Sequence, residues 1–416
     1  YKIPSGSDFS KAEYFLLTKV TSYQICGDNM EYRLDELFDL QMGKTPARKN
    51  PEYWNSNDHK WISIADLSKC EKYITETKEH ISSIAVKESG ISEIPANTVI
   101  MSFKLSIGKT AITKEPIYSN EAIMSFRDKG VTPILPDYIY YMFSGRDWSK
   151  GSNTAVMGTT LNKATLSQIK INIHDYEKQK RIVELLDKVS SIISKRKQEL
   201  VELDDLIKAR FVEMFGDPVS NPYKLPMVFL GELSELITKG ASPSWQGFNY
   251  TDDPSQTLFL TSENVKNGYI DLSSPKYIED KFNTKQKRSI VHKGDFLINI
   301  VGASIGRAAQ FNLNCKANMN QAAALVRIND NRIRDKYLLT YLNSDKAQLM
   351  YNSMKSDTGR ANLSLKDISE LSILLPSIEE QLIFEKFVSQ IDKSKATVQK
   401  ALDETQLLFD SLMQQY

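Results

Sequence analysis

The chain has 416 residues, more than one ordinary domain needs, and its 41% hydrophobic content supports buried cores rather than wholesale disorder. Fifty-three basic residues against 52 acidic ones leave a net charge of +1, so attraction to a polyanion has to come from local clustering. No apolar run reaches the roughly 18 residues of a membrane span, and Cys26, Cys70, Cys315, His59, His80, His174 and His292 show no metal-ligand or disulfide-framework spacing, which points away from a zinc site and toward a reducing cytoplasm. Residues 1–30 carry no signal-peptide pattern and form an N-terminal segment of unassigned role. A first α/β domain is expected over 31–175. Its polar stretch Gln41, Lys44, Thr45, Arg48, Lys49, Tyr53, Trp54, His59 and Lys60 is compact in sequence. Val99–Phe103 predicts a strand, Lys104, Ser106 and Lys109 flank a glycine turn at Gly108, and Asp137–Phe143 predicts a short helix.

From Glu177 to Phe215 there is neither Pro nor Gly. Ile182, Leu186, Val189, Ile193, Leu200, Leu203, Ile207 and Met214 recur in steps of four and three once Arg196 and Arg210 are counted in, which is the seam of a coiled coil. A spacer helix is predicted over 176–216, stopped by Gly216-Asp217-Pro218, with a linker over 217–226.

The segments of the first half then return in the same order about 200 residues later. Leu34–Leu37 matches Leu230–Leu233, Gly43–Pro46 matches Gly240–Pro243, and Trp61–Leu67 matches Phe259–Val265. Ile94–Ala111 tracks Val291–Ala309, Asn120–Arg127 tracks Asn320–Arg327, and Leu161–Gln179 tracks Leu363–Gln381. A second α/β domain is therefore expected over 227–376, with a strand at Phe296–Val301 and a helix at Asp335–Leu342. Its polar loops hold Lys239, Ser242, Ser244, Trp245 and Gln246, then Ser304 and Arg307 around Gly306, then Lys355, Arg360 and Asn362. A second spacer helix over 377–416, entered at Pro376, carries Phe384, Val388, Ile391, Val398, Leu402, Phe409 and Leu412, with Lys395 and Thr405 interrupting the seam.

The fold class is α+β: two tandem α/β domains separated by two long helices, which pair antiparallel as a coiled coil about a pseudo-two-fold axis. A helix of about 33 residues spans roughly 50 Å, and one face of DNA recurs about every 34–36 Å. Two unlike domains on such a spacer suit two different short half-sites with unread bases between them. Lys and Arg of the loops suit phosphates, Gln, Asn and Arg suit base edges, and the aromatics suit wedging or stacking.

Catalytic signatures are absent. Gly43-Lys44-Thr45 and Gly108-Lys109-Thr110 have Phe38 and Phe103 where a phosphate-binding loop needs its first glycine. Neither N/D-P-P-Y/F/W nor G-x-G-x-x-G occurs. The pair Asp204-Asp205 reads as a solvated helix face and Asp252-Asp253 as a turn. The competing readings are a DNA-acting enzyme with degenerate motifs and a coiled-coil scaffold that binds proteins only.

The GKTPARKNPEYW stretch at Gly43–Trp54, the Ile-Gly-Lys and Ile-Gly-Arg turns, and LSLKDISELSILLPSIEEQ at Leu363–Gln381 resemble the specificity subunit of type I restriction–modification systems over residues 31–416. The first copy departs from the last motif, lacking its proline. The resemblance implies two target-recognition domains, an antiparallel coiled coil, and a non-catalytic subunit that binds double-stranded DNA at a bipartite, asymmetric target. It also implies two modification subunits that carry AdoMet and methylate adenine, and restriction subunits that cleave with ATP and Mg. No cofactor or metal is expected in this chain itself, and no membrane.

Overall fold

A computed structural model describes residues 30–104, 106–148, 161–217, 220–354 and 362–415. The chain divides into two units that do not follow its linear order. One takes residues up to Gln198 and returns for Gln399 onward; the other takes Glu199–Val398. The division cuts both long helices, Tyr176–Phe215 and Ile378–Gln415, because each helix packs part of its length in each unit.

In the first unit a five-stranded sheet runs in the order Phe38–Met42, Ile123–Asp128, Val99–Ser102, Thr110–Thr113, Tyr73–Ile74. A second sheet places His59–Ile62 between Glu79–Ile81 and a parallel partner, Tyr118–Ser119. Val99–Ser102 and Thr110–Thr113 are buried throughout and read as near-continuous apolar runs, as strands covered on both faces do. In the second unit Ser234–Lys239, Ala323–Ile328, Phe296–Asn299 and Ala308–Gln310 repeat the order of the first four strands. Thr257–Leu260 and Ala317–Met319 repeat the parallel pair.

Single hydrogen bonds recur with the strands. Ala122 N and Ala322 N donate to Oδ1 of Asn120 (2.7 Å) and Asn320 (3.0 Å). The backbones of those asparagines donate to Ile62 O and Leu260 O. The turn after the central strand closes through Gly108 N to Ser102 O and Gly306 N to Asn299 O, with φ of 86° and 85°, where a side chain is strained. That closure ends the two strands earlier than the residue types suggest. Phe103 and Ile300 leave the ladder to donate to Ala122 O and Ala322 O instead.

Each long helix is locked to its unit by a buried glutamine. Gln179 Oε1 accepts from Leu135 N at 2.9 Å, and its Nε2 donates to the carbonyls of Pro133 and His174, both at 2.9 Å. Gln381 repeats this with Arg334 N (2.8 Å), Arg332 O (2.9 Å) and Pro376 O (3.0 Å). A side-chain amide is the one neutral group that can accept from the incoming strap while donating twice to the helix entry.

Of the seam residues, Ile182, Leu186, Val189, Ile193, Phe384, Val388, Leu402 and Leu412 are buried. Leu200, Leu203, Ile207, Met214, Ile391, Val398 and Phe409 are half-buried. Phe211 and Phe215, outside the heptad, are buried too. Phe211 stacks on Tyr337 at 5.4 Å and meets Phe384 edge-on at 5.5 Å, because the helix end packs into its unit's own core. The seam's interruptions have partners. In the first unit Arg196 donates to Ala401 O and Thr405 Oγ1, while Asp187 and Phe409 both meet Tyr141. In the second, Lys395 pairs with Asp204 and Arg210 lies over Phe387. Asp204 is thus an inter-helix partner rather than only a solvated residue. In both units ascending numbers on one helix meet descending numbers on the other. Among the described residues no helix is long and apolar enough to cross a membrane.

Candidate nucleic-acid interface

In the first unit most of the polar stretch turns inward. Gly43 lies so close to Ser119 and Asn120 that a Cβ would overlap their oxygens, and Lys44 N donates to Ser119 O at 2.8 Å. The loop that follows is tied to the segment 79–93. Lys44 Nζ donates to Ser89 O, Gln41 to Ser92 Oγ at 2.6 Å, and Tyr53 to Glu88 at 2.5 Å. Arg48 forks onto Glu79 and lies over the rings of Trp54 (3.9 Å) and Trp61 (4.8 Å), which themselves meet edge-on. Thr45 donates to Glu121 and holds its carboxyl below the usual range. Lys60 bonds Glu115 at 2.6 Å, and His59 faces Ser83 Oγ at 3.1 Å. Lys49, Lys104 and Lys109 are exposed, as is Ser106. Lys104 acts on the Glu121 carboxylate that Thr45 holds, which puts the Gly108 turn beside this loop.

Arg48→Ala should therefore act on stability. Losing a half-exposed bidentate ion pair and a cation–π contact costs about 1–2 kcal/mol. A thermal melt of the variant should shift down; an unchanged melt would mean the clamp carries no weight.

The second unit keeps the scaffold and changes the loop. Gly240 packs on the carbonyls of Met319 and Asn320 as Gly43 does on Ser119 and Asn120. Lys239 is exposed, and Ser242 and Ser244 share a hydrogen bond of 3.1 Å. At the position of Arg48 stands Trp245, on the short 3-10 helix Ser244–Gln246, and it is 87% exposed. Gln246 offers its carbonyl to Lys285 at 3.0 Å. Around the Gly306 turn, Ser304 accepts from Asn299 at 3.2 Å and Arg307 is exposed. Asn362 is brought beside this turn by its bridge to Val301. Lys355 and Arg360 lie outside the described residues.

A further basic segment joins this loop. Lys281, Lys285, Lys287 and Arg288 are all exposed, and no acidic residue lies among them. The run KFNTKQKR was visible in the sequence, but it falls between the repeated motifs around which loops were sought. Asn318 bolts it down. Its Nδ2 donates to Asn283 Oδ1 (2.8 Å) and Gln286 O (3.2 Å), and its Oδ1 accepts from Ser289 Oγ (2.7 Å).

Among the described residues no group of His, Cys, Asp and Glu could hold a metal ion. Cys70 and Cys315 are free thiols, and burial pushes Cys70 up to about 11. Cys26 lies outside the described residues. The arrangement presents cations, amides and one bare indole on rigid loops, which is chemistry for contacting phosphates and bases.

The model of the type I restriction modification DNA specificity domain matches residues 27–203 and again 224–405. The type I restriction enzyme MjaIX specificity subunit of Methanocaldococcus jannaschii is 28% identical over 213 residues, 50% of this chain and 48% of that subunit. The match thus spans about half of that relative's length. The EcoprrI specificity subunit of Escherichia coli is 22% identical over 381 residues, 86% of each chain. A chain from a structural study of complex assembly and conformational transition in the type I R-M system shares the fold, with a TM-score of 0.59 at 18% identity, covering 94% of this chain and 97% of that one.

Proposed function

The chain belongs to the type I restriction–modification DNA specificity family, and from that premise we propose that it is the non-catalytic sequence-reading subunit of such a complex. Each unit reads one short half-site, and the two half-sites differ. The long helices serve as an antiparallel coiled-coil spacer between two target-recognition domains related by a pseudo-two-fold axis. Modification subunits bring AdoMet and methylate adenine at the chosen site; restriction subunits bring ATP and Mg.

One observation carries this reading. The same scaffold bonds recur in both units, while the loops they hold up differ in chemistry: a clamped Arg48 in one, a bare Trp245 in the other. A protein that reads two unlike sequences needs a shared frame with divergent tips. Binding of the purified full chain to duplex DNA across a salt series tests it. Affinity should fall linearly on a log–log plot, with a slope of about −0.9 per phosphate contact. A chain that retains no duplex even at low salt would refute the reading.

The spacer has its own test. One heptad inserted into each long helix adds about 10 Å of rise, or about three base pairs at 3.4 Å each. Methylome sequencing of cells carrying the lengthened chain with its modification subunit should show a longer unread gap. An unchanged gap would remove the spacer role.

A further inference from the structure

We propose that Trp245 is a base-stacking wedge: it enters the duplex at the half-site read by the second unit, while the Lys281–Arg288 segment holds the flanking phosphates. The inference rests on the DNA-reading function proposed above and deepens it.

Exposure is the first argument. A large aromatic side chain is normally covered, and Trp245 is 87% exposed, whereas Trp61 and Trp148 are buried and Trp54 is half-buried against Trp61. The three other tryptophans serve the first unit's packing; this one has no such duty. Rigidity is the second. Pro243, itself buried, accepts from both Gln246 N (2.9 Å) and Phe248 N (3.0 Å), which closes the loop beneath the indole. Phe248 packs edge-on against Phe282 at 5.5 Å, in the core of the same segment that carries the cations. Lys285 reaches across to Gln246 O. The indole is thus presented on a fixed stalk, so little side-chain and loop freedom is lost on insertion.

Charge is the third argument. Four exposed cations in eight residues, without an acid among them, stand on the segment that supports the loop. The matching segment of the first unit, Ser83–Ser89, holds Lys87 beside Glu88, and Glu88 takes the Tyr53 hydroxyl. The second unit alone therefore combines a basic platform with a bare aromatic, the pairing that lets a protein grip a backbone and unstack a base step.

The experiment uses the full chain and 40-base-pair duplexes selected from a random pool by retention on the wild-type protein. Saturating duplex should quench the exposed tryptophan emission and shield it from acrylamide, and Trp245→Phe should lack that response. Trp245→Ala should bind about tenfold more weakly with an unchanged salt slope, and Trp245→Phe should recover most of the loss. Replacing Lys281, Lys285, Lys287 and Arg288 by Gln should instead flatten the log–log salt slope by about 3. If Trp245 stays open to acrylamide at saturation, or Trp245→Ala binds like the wild type, the wedge is refuted and the DNA-reading function stands. If no duplex is retained from the pool, the function itself falls.

Discussion

Gln381→Leu should destabilise the second unit by about 3–5 kcal/mol. Leucine fills the same volume but leaves the Arg334 N–H and the carbonyls of Arg332 and Pro376 without the partner that satisfies all three. Each polar group stranded in a buried site costs about 1–3 kcal/mol, against a total stability of about 5–15 kcal/mol for an ordinary domain. Gln381→Glu should do no better, because a carboxylate cannot donate to two carbonyls. Gln179→Leu should weaken the first unit in the same way through Leu135, Pro133 and His174. Urea unfolding of the full chain, followed by circular dichroism, reads the effect. A loss below about 1 kcal/mol in both variants would show that these helix entries are held by apolar packing and not by the amide.

Gly240→Ala should be of similar severity and should also disarm the loop. The new methyl would overlap the Met319 carbonyl and come within 2.9 Å of the Asn320 oxygen, both backbone atoms. Met319 ends a strand paired in parallel with Thr257–Leu260, so it has little room to retreat. Overpacking of a fixed site costs about 3 kcal/mol or more. Because Ala241 and Phe248 seat the Trp245 loop on Phe282, a displaced Gly240 should also weaken DNA binding. Gly43→Ala repeats the clash against Ser119 and Asn120 in the first unit. Unfolding midpoints within error of the wild type would refute the close approach.

The framework of the chain could be read from residue types, because it rests on periodicity and on repeated order. Asp335–Leu342 forms a helix over the residues its apolar spacing marks, and Val99 and Phe296 begin strands where β-branched and aromatic runs begin. The heptad placed Arg196 and Lys395 on the seam without revealing that Thr405, the Ala401 carbonyl and Asp204 receive them. It also passed over Phe211, since that turn serves a globular core with its own geometry. The loop residues were the hardest to judge. Arg48, Trp54 and Tyr53 have the composition of a recognition surface, yet Glu79, Trp61 and Glu88 engage them. Those partners lie from 7 to 35 residues away, and only the folded chain brings them into contact. In the second unit the same composition is left open, and there exposure separates a structural aromatic from an available one.

The division of the chain into units sets a timetable for synthesis. The unit begun by the earliest residues is finished by Gln399 onward, where the Met413 carbonyl lies against Gly145 and Phe409 against Tyr141. On the ribosome some 200 residues separate Gln198 from Gln399, a delay on the order of 10–40 s at ordinary elongation rates. Throughout that interval the apolar flank of Tyr141 and Gly145 is born without its cover. The later-made unit, contiguous from Glu199 to Val398, is the one that can close first.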